Sequence, residues 1–261
     1  MTNTLPSLPT GTPSLEAEAK AALLRFLRSS GRINRASTVV LELGVAKQLN
    51  RADVVTVDKL LHCYEIKTKR DTLARLERQL SAYAAASDRV TVVAATRHIN
   101  AILSRVPSYV GILELVDFNQ RPEVREVRPA STSEAWSANA ALDFLPASEI
   151  RLRLMNNAVA KRREELVKLA EQVDPAKIRE AVIGFLRDRY RTASKRFFSL
   201  IGRRAVQAQD LPSLRIWQAK PPVAEALSGG KPIAESDEAT YYAIGSSFGP
   251  VPEDVRSLLE S

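Results

Sequence analysis

The spacing of apolar residues changes from a helical period to a strand period and back within the first hundred residues, and this order limits the possible folds. Residues 14–31 place apolar side chains at helical spacing, and Ser14 is suited to the N-cap of that helix. Three short runs rich in β-branched residues follow, at 37–45, 51–58 and 60–67. Such runs, separated by polar stretches, predict three successive strands.

Helical spacing returns at 71–87, and the next run, 88–96, is apolar almost throughout. A continuous apolar run of this length is typical of an interior strand. A short helix at 99–105 and a further strand at 109–116 complete the region. The order α-β-β-β-α-β therefore predicts an α/β fold built on a mixed sheet.

The character of the sequence changes after Pro129. Residues beyond it first resemble a linker, then show helical spacing with many arginines and a break near Pro175. The last segment is rich in Pro, Gly and Ser and is predicted to be loosely ordered. The predicted organisation is a disordered leader (1–14), an α/β core (15–129), a linker (130–147), a basic helical region (148–210) and a loosely ordered tail (211–261).

Positive charge is concentrated in the second half of the chain. The net charge is +8, and residues 151–204 contain 15 Lys and Arg against 6 Asp and Glu. A localised basic region favours an acidic partner, and nucleic acid is the commonest one. Docking on an acidic protein is the alternative for the same helices.

The sequence also indicates a cellular location. The N-terminal residues lack the features of a secretory signal peptide, and no apolar run reaches the roughly 20 residues of a spanning helix. The single cysteine, Cys63, excludes an internal disulfide framework and a cysteine-based zinc site. We therefore expect a cytoplasmic protein that does not associate with membranes.

Three acidic residues and a lysine fall on the three predicted strands. Glu42 lies in the first strand and Asp53 opens the second. Glu65 and Lys67 lie in the third, on one face, because strand side chains alternate. Clustered carboxylates repel unless a cation lies among them, and oxygen ligands favour Mg²⁺, with Mn²⁺ as a substitute. The backbone carbonyl of Ile66 would add a neutral ligand, whereas the alternative for Glu65 and Lys67 is an ion pair on the solvated surface.

These residues resemble a known superfamily. Asp53 followed by Glu65-Ile66-Lys67 is similar to the D…E-x-K signature of PD-(D/E)XK nucleases, and Gln79 with Tyr83 resembles their Q-x-x-x-Y element. More narrowly, residues 39–116 resemble a nuclease-like family of bacterial and phage proteins related to MmcB-like DNA-repair proteins. That family carries the pattern R-x-D…Y-E-I-K…D-T-L-x-R-L-x-x-Q.

The resemblance implies a restriction-endonuclease-like core and a Mg²⁺-dependent deoxyribonuclease that hydrolyses phosphodiester bonds in DNA repair, phage or defence. It implies metal ligation by Glu42, Asp53 and Glu65, and catalytic roles for Asp53, Glu65, Lys67 and Gln79. The implied substrate is DNA, and a homodimer would suit paired cuts. DNA contacts are expected from Arg51, Lys69, Arg75, Tyr83, His98, Arg187, Arg189, Arg191, Lys195 and Arg196.

Two other functions stay open from the sequence. One is a catalytically silent DNA-binding or protein-interaction module on a nuclease scaffold. The other is a structural or regulatory protein whose basic helices bind a protein partner. Strand preference, the choice between endonuclease and exonuclease action, and the biological pathway are not encoded in a pattern of this kind.

Overall fold

The sequence folds around one mixed β-sheet, seen in a computed structural model that describes residues 13–118, 121–155 and 162–216. The chain divides into two units, and the second, 218–261, lies wholly outside the described residues. The predicted leader and tail fall mostly outside them as well. The strands are β1 (Thr38–Val45), β2 (Asn50–Val57), β3 (Leu61–Lys67), β4 (Arg89–Ala95), β5 (Gly111–Phe118) and β6 (Arg121–Arg128).

Seven α-helices are present among the described residues. Two 3₁₀ turns, Thr96–His98 and Ala208–Leu214, accompany them. The helices are α1 (Leu15–Ser29), α2 (Leu76–Ala86), α3 (Ile99–Leu103), α4 (Ala138–Leu142), α5 (Ala147–Leu154), α6 (Arg163–Ala170) and α7 (Pro175–Ile201). Among the described residues, no helix combines the length and apolar character needed to cross a membrane.

The strands lie in chain order across the sheet, from β1 to β6. Strands β1, β2 and β3 pair antiparallel, β3, β4 and β5 pair parallel, and β5 and β6 pair antiparallel. The helix α2 connects the parallel strands β3 and β4, as parallel pairing requires a crossover. The predicted α/β class, the α-β-β-β-α-β order and the mixed sheet are therefore confirmed.

The edge strand β6 was not predicted from the sequence. Its residues, 121–128, alternate between exposed and half-buried and include Pro122. Charged side chains and proline are typical of edge strands, where they limit pairing with other chains. Because these residues form no apolar run, the sequence pattern does not identify the strand.

The two faces of the sheet are covered by different helices. Tyr64 and Ile66 of β3 pack with Leu23 of α1 and with Phe197 near the end of α7. Cys63, on the other face, packs with α2. Since side chains alternate along a strand, β3 contributes to both cores.

The region after the sheet is helical, as predicted. Helix α7 begins at the predicted break, where Asp174 accepts a hydrogen bond from the Ala176 N–H at 2.9 Å and Pro175 occupies the first turn. The segment 130–147, predicted as a linker, contains α4. Leu142 and Leu145 of this segment are buried in the core, so it packs against the domain.

Candidate active site

Strands β2 and β3 separate where the predicted acidic residues lie. Their pairing ends at Val54 and Tyr64. Beyond that point the Asp53 carboxylate accepts a hydrogen bond from the Ile66 N–H at 2.7 Å. The side chain thus replaces a backbone partner, which fixes the Asp53 carboxylate beside the backbone of the E-x-K segment.

The backbone of β1 is irregular at Glu42. The strand pairs Leu41 with Val54 and Leu43 with Ala52, and Glu42 between them has a φ of 56°. This left-handed conformation costs a non-glycine residue roughly 1–3 kcal/mol and is common at functional sites. The sequence gives no sign of it, because Glu42 lies in an uninterrupted β-rich run.

Helix α1 brings two further charged groups to this place, Glu16 and Lys20. The Lys20 Nζ lies 2.5 Å from Glu16 Oε1 and 4.0 Å from Asp53 Oδ1, and it donates a hydrogen bond to Glu42 Oε1. Lys20 is only 6% exposed. Arg51 contacts the other oxygen of Glu42, with its Nε 2.6 Å from Oε2.

Sequence analysis missed Glu16 and Lys20 as site residues. Glu16 has the ordinary position of an acid in a first helical turn, so its presence is explained by the helix alone. Lys20 did carry a signal, because it stands among buried alanines and leucines on α1. A lysine within an apolar helix face requires a partner.

The E-x-K pair is buried, in contrast to the surface ion pair that was the alternative. Lys67 Nζ donates to Glu65 Oε1 at 2.6 Å and to Gln79 Oε1 at 3.0 Å. Tyr83 donates its hydroxyl to Glu65 Oε2 at 2.9 Å, and this hydroxyl also lies 2.8 Å from the Arg51 carbonyl oxygen. Gln79 and Tyr83 are one turn apart on α2, so both reach the same ion pair.

The electrostatics of the cluster are dominated by burial and like charge. Burial, followed by the negative charge of Glu65, raises the pKa of Asp53 to about 7, although the Ile66 N–H and Lys20 act in the opposite direction. Burial and Glu65 also raise the pKa of Tyr83, so its hydroxyl remains a donor at neutral pH. With a pKa near neutrality, Asp53 can gain or lose its proton at physiological pH.

The donor set fits a hard divalent cation. Carboxylate oxygens of Glu16, Glu42 and Asp53 lie within 4.8 Å of one another, and among the described residues Glu65 is not part of this group. Oxygen ligands of this kind suit Mg²⁺ or Mn²⁺. The Lys20 ammonium occupies the same cluster, so a bound cation would have to displace or share its contacts.

Three other predicted residues lie on the elements that follow β3 and β4. Lys69 is exposed and pairs with Asp117 at 3.3 Å. Arg75 is the N-cap residue of α2. His98 is buried, and its Nε2 lies 3.2 Å from the carbonyl oxygen of Thr68. His98 thus supports the loop that follows Lys67.

The five predicted DNA-binding residues of α7 are exposed but divide between two sides of the helix. At 100° per residue, Arg187, Arg191 and Lys195 share one side, whereas Arg189 and Arg196 lie on the opposite side. The Arg196 guanidinium also donates to the carbonyl oxygens of Ser213 and Arg215, at 2.6 and 2.7 Å. Arg196 therefore fastens the segment after α7 to the helix.

Comparison with known proteins gives one family and one structural similarity. A profile described as "Bacteriophage P4 protein cII" matches residues 10–215. Protein cII of Enterobacteria phage P4 is 30% identical over 204 residues, which are 76% of this chain and 77% of that protein. A solved structure of a protein of unknown function from Silicibacter pomeroyi matches with a TM-score of 0.36 and 19% identity, covering 59% of this chain and 98% of that one.

Proposed function

This chain belongs to the bacteriophage P4 protein cII family, and we propose that it is a Mg²⁺-dependent nuclease that hydrolyses phosphodiester bonds in DNA. The observation that carries the proposal is the buried Glu65–Lys67 pair beside Asp53, whose carboxylate is fixed on the Ile66 N–H. A structural ion pair would not require a second carboxylate with a raised pKa next to it. The proposal includes membership of the core in the PD-(D/E)XK superfamily.

The proposed metal ligands are Glu42, Asp53 and Glu65, with the carbonyl oxygen of Ile66. Glu16 joins them because its carboxylate lies within 4.8 Å of those of Glu42 and Asp53, a group that does not include Glu65 among the described residues. A bound Mg²⁺, or Mn²⁺ in its place, would neutralise phosphate charge and make a coordinated water more acidic. The protein supplies the positions of the oxygens, through the Glu42 backbone irregularity and the separation of β2 from β3.

Lys67 is proposed to stabilise negative charge that develops on the phosphate during hydrolysis. Its ammonium group is held by Glu65 and Gln79, so it is oriented before the substrate arrives. Tyr83 holds the second oxygen of Glu65 and keeps that carboxylate from rotating. Preorganised charge of this kind requires little rearrangement during the reaction.

DNA binding is proposed from the basic side chains around this site and along α7. Arg51 contacts Glu42, Lys69 follows β3 and Arg75 caps α2, and phosphate contacts from these side chains would make binding strongly dependent on salt. We propose a cytoplasmic location, in which a phage or bacterial DNA substrate is available. Cutting both strands of a duplex together would need two active sites, and for that case we propose a homodimer.

The test is a cleavage panel with supercoiled, linear and single-stranded DNA and RNA, in Mg²⁺, in Mn²⁺ and in EDTA. Wild-type protein should cut DNA only with the divalent cation, and Asp53→Asn should lower the rate by about 10²-fold or more. Asp53→Asn keeps an oxygen acceptor for the Ile66 N–H, so it should fold. Glu180→Gln, on an exposed acid of α7, is the matched control and should cut normally. Cleavage that survives Asp53→Asn would refute the proposal.

One observation favours a second candidate, the catalytically silent DNA-binding module. Lys20 already places an ammonium group among Glu16, Glu42 and Asp53, so the cluster carries an internal counter-charge. A silent module would retain DNA at low salt without cleavage in any divalent cation. The same panel, run beside a DNA-retention assay, separates the two functions.

A further inference from the structure

A second site lies at the other end of β3. A cavity of about 690 Å³ opens beside the N-terminal ends of β3 and β4, and His62, Tyr64 and Thr91 line it. The α1–β1 loop, the β2–β3 turn, β6 and α7 also contribute to its wall. Its charged lining consists of two carboxylates, Asp58 and Glu126, and five cations, Arg32, Lys59, Arg89, Arg128 and Arg187.

The two carboxylates already have partners of their own. Asp58 accepts a hydrogen bond from the Ser37 hydroxyl at 2.9 Å. Glu126 pairs with Arg32 at 2.5 Å. The protein therefore provides one ion pair in this cavity and leaves four of its cations without a carboxylate contact in the described residues.

The unpaired cations are held in different ways. Arg128 donates to the carbonyl oxygens of Val110 and Pro107, both at 2.9 Å, which orients its guanidinium without neutralising it. The Nε of Arg89 is buried and has no hydrogen-bond partner within the part of the chain that the structure describes. A buried donor without an acceptor is rare in folded proteins, and the oxygen of a ligand, an ion or a water can satisfy it.

Burial and the arginines of the lining also act on His62. Desolvation, followed by the charges of Arg89 and Arg32, lowers the pKa of His62 to about 3. The neutral His62 ring stacks on Tyr64 with centroids 4.1 Å apart, and its Nε2 lies 2.8 Å from the Thr91 hydroxyl. His62 therefore adds polar surface to the cavity but no further charge at neutral pH.

We propose that this cavity binds a phosphate-bearing ligand of about the size of a nucleotide, with Arg89, Arg128 and Arg187 facing its phosphate oxygens. Three unpaired guanidinium groups match a ligand with more than one negative charge, and planar guanidinium binds phosphate oxygens in pairs. The volume falls within the usual range of small-ligand sites. A free nucleoside phosphate and the phosphorylated end of a nucleic-acid strand both carry this chemistry.

This site is separate from the proposed nuclease centre. Tyr64 faces the core below α1, whereas Glu65 is hydrogen-bonded to Tyr83 of α2 on the other face. The cavity lies where β3 begins, and Lys67 lies where β3 ends. Ligand binding here therefore does not depend on the hydrolytic activity, and Asp53→Asn should leave it unchanged.

The experiment is isothermal titration calorimetry of the full chain with pyrophosphate and with ATP, in EDTA so that no divalent cation reaches the acidic cluster. Both should bind, and adenosine, which lacks phosphate, should not. Arg89→Gln should weaken binding by about 10-fold or more. Arg187→Gln, on an exposed helix residue that should not affect folding, should weaken it in the same direction.

The matched control is Arg105→Gln, which removes an exposed arginine away from the cavity lining. Unchanged binding in Arg105→Gln supports the site. Equal weakening in all three variants would show nonspecific charge attraction and overturn the proposal, as would the absence of binding to the wild-type chain. Single-stranded oligonucleotides with a 5′-phosphate or a 5′-hydroxyl distinguish the two sources. A preference for the phosphorylated end that Arg89→Gln removes assigns the cavity to strand ends, and binding of free nucleotides alone assigns it to a small molecule.

Discussion

At the end of β3 four carboxylates, those of Glu16, Glu42, Asp53 and Glu65, meet three cations of the same chain, Lys20, Arg51 and Lys67. At the beginning of β3 five cations meet only two carboxylates. Both regions bring several charged groups together in a partly buried place. The acidic cluster contains its own counter-charges, and the basic cavity leaves the Nε of Arg89 without an acceptor among the described residues.

The difference concerns how each region responds to a ligand. In the acidic cluster an incoming cation competes with Lys20, so the protein is stable without it and binding must exceed an existing interaction. In the basic cavity an anion would complete contacts that the chain leaves unmade. Changes to the internal cations of the first region, and to the arginines of the second, test this contrast.

The largest effect on stability is expected from Lys67→Met. This change leaves the buried Glu65 carboxylate with Tyr83 as its remaining partner, and breaking a buried ion pair costs about 3–5 kcal/mol. Urea unfolding measures the loss. The double variant Glu65→Gln/Lys67→Met should recover most of it, and Lys69→Met, on an exposed neighbour, should change little. A loss below 1 kcal/mol in Lys67→Met would contradict the buried pair.

Lys20→Met is expected to remove the internal ammonium group from the acidic cluster. The cluster would then need a bound cation, as the basic cavity needs a bound anion. Three carboxylates would lose their shared ammonium group, at a cost of about 2–3 kcal/mol because they are less buried than Glu65. Added Mg²⁺ or Mn²⁺ should then stabilise the variant more than the wild-type chain, since the cation no longer competes with lysine. Thermal unfolding with and without the cation measures both effects, and Lys177→Met is the control. Equal gains in variant and wild type would show that Lys20 does not occupy the cation site.

The pKa of Asp53 predicts a pH dependence of stability with a definite sign. The folded chain keeps the Asp53 proton up to about pH 7, whereas the unfolded chain releases it near pH 4, so the free energy of unfolding should fall as the pH rises between these values. Asp53→Asn should remove this slope and raise the free energy of unfolding above pH 7 by about 2 kcal/mol. Denaturant titrations at pH 5 and pH 8 without divalent cations provide the measurement. If the free energy of unfolding depended more steeply on pH in the variant than in the wild-type chain, Asp53 would not be the group responsible.

The fold could be predicted from the sequence because most of its helices and strands follow a regular spacing of apolar residues. The change from helical to strand spacing and back predicted α1 to β5 in order, and the structure confirms that order. The edge strand β6 and the packed helix α4 were missed because charged or short segments show little period. Their places depend on tertiary contacts, such as the burial of Leu142.

The two charged regions differ in how far the sequence indicates them. Glu65 and Lys67 are two residues apart on one strand, and Gln79 and Tyr83 are one turn apart on one helix, so local spacing is enough to group them. The basic cavity is assembled from six separate parts of the chain. Its arginines have no common spacing, and only the folded sheet brings them together. The position of Lys20 beside Glu42 likewise depends on the packing of α1.

The smallest effect is expected from Arg89→Gln in the protein without ligand. This change removes a charge from a positive cavity together with a buried donor that lacks an acceptor, so the free energy of unfolding should rise by about 0.5–1 kcal/mol. The gain should shrink at high salt, because the repulsion among Arg32, Arg89 and Arg128 is screened there. Pyrophosphate should stabilise the wild-type chain and should do so less in the variant. Urea unfolding at low and high salt, with and without pyrophosphate, gives all four values. A loss of stability in the ligand-free variant would mean that the chain itself uses the Arg89 charge, and the contrast between the two ends of β3 would then disappear.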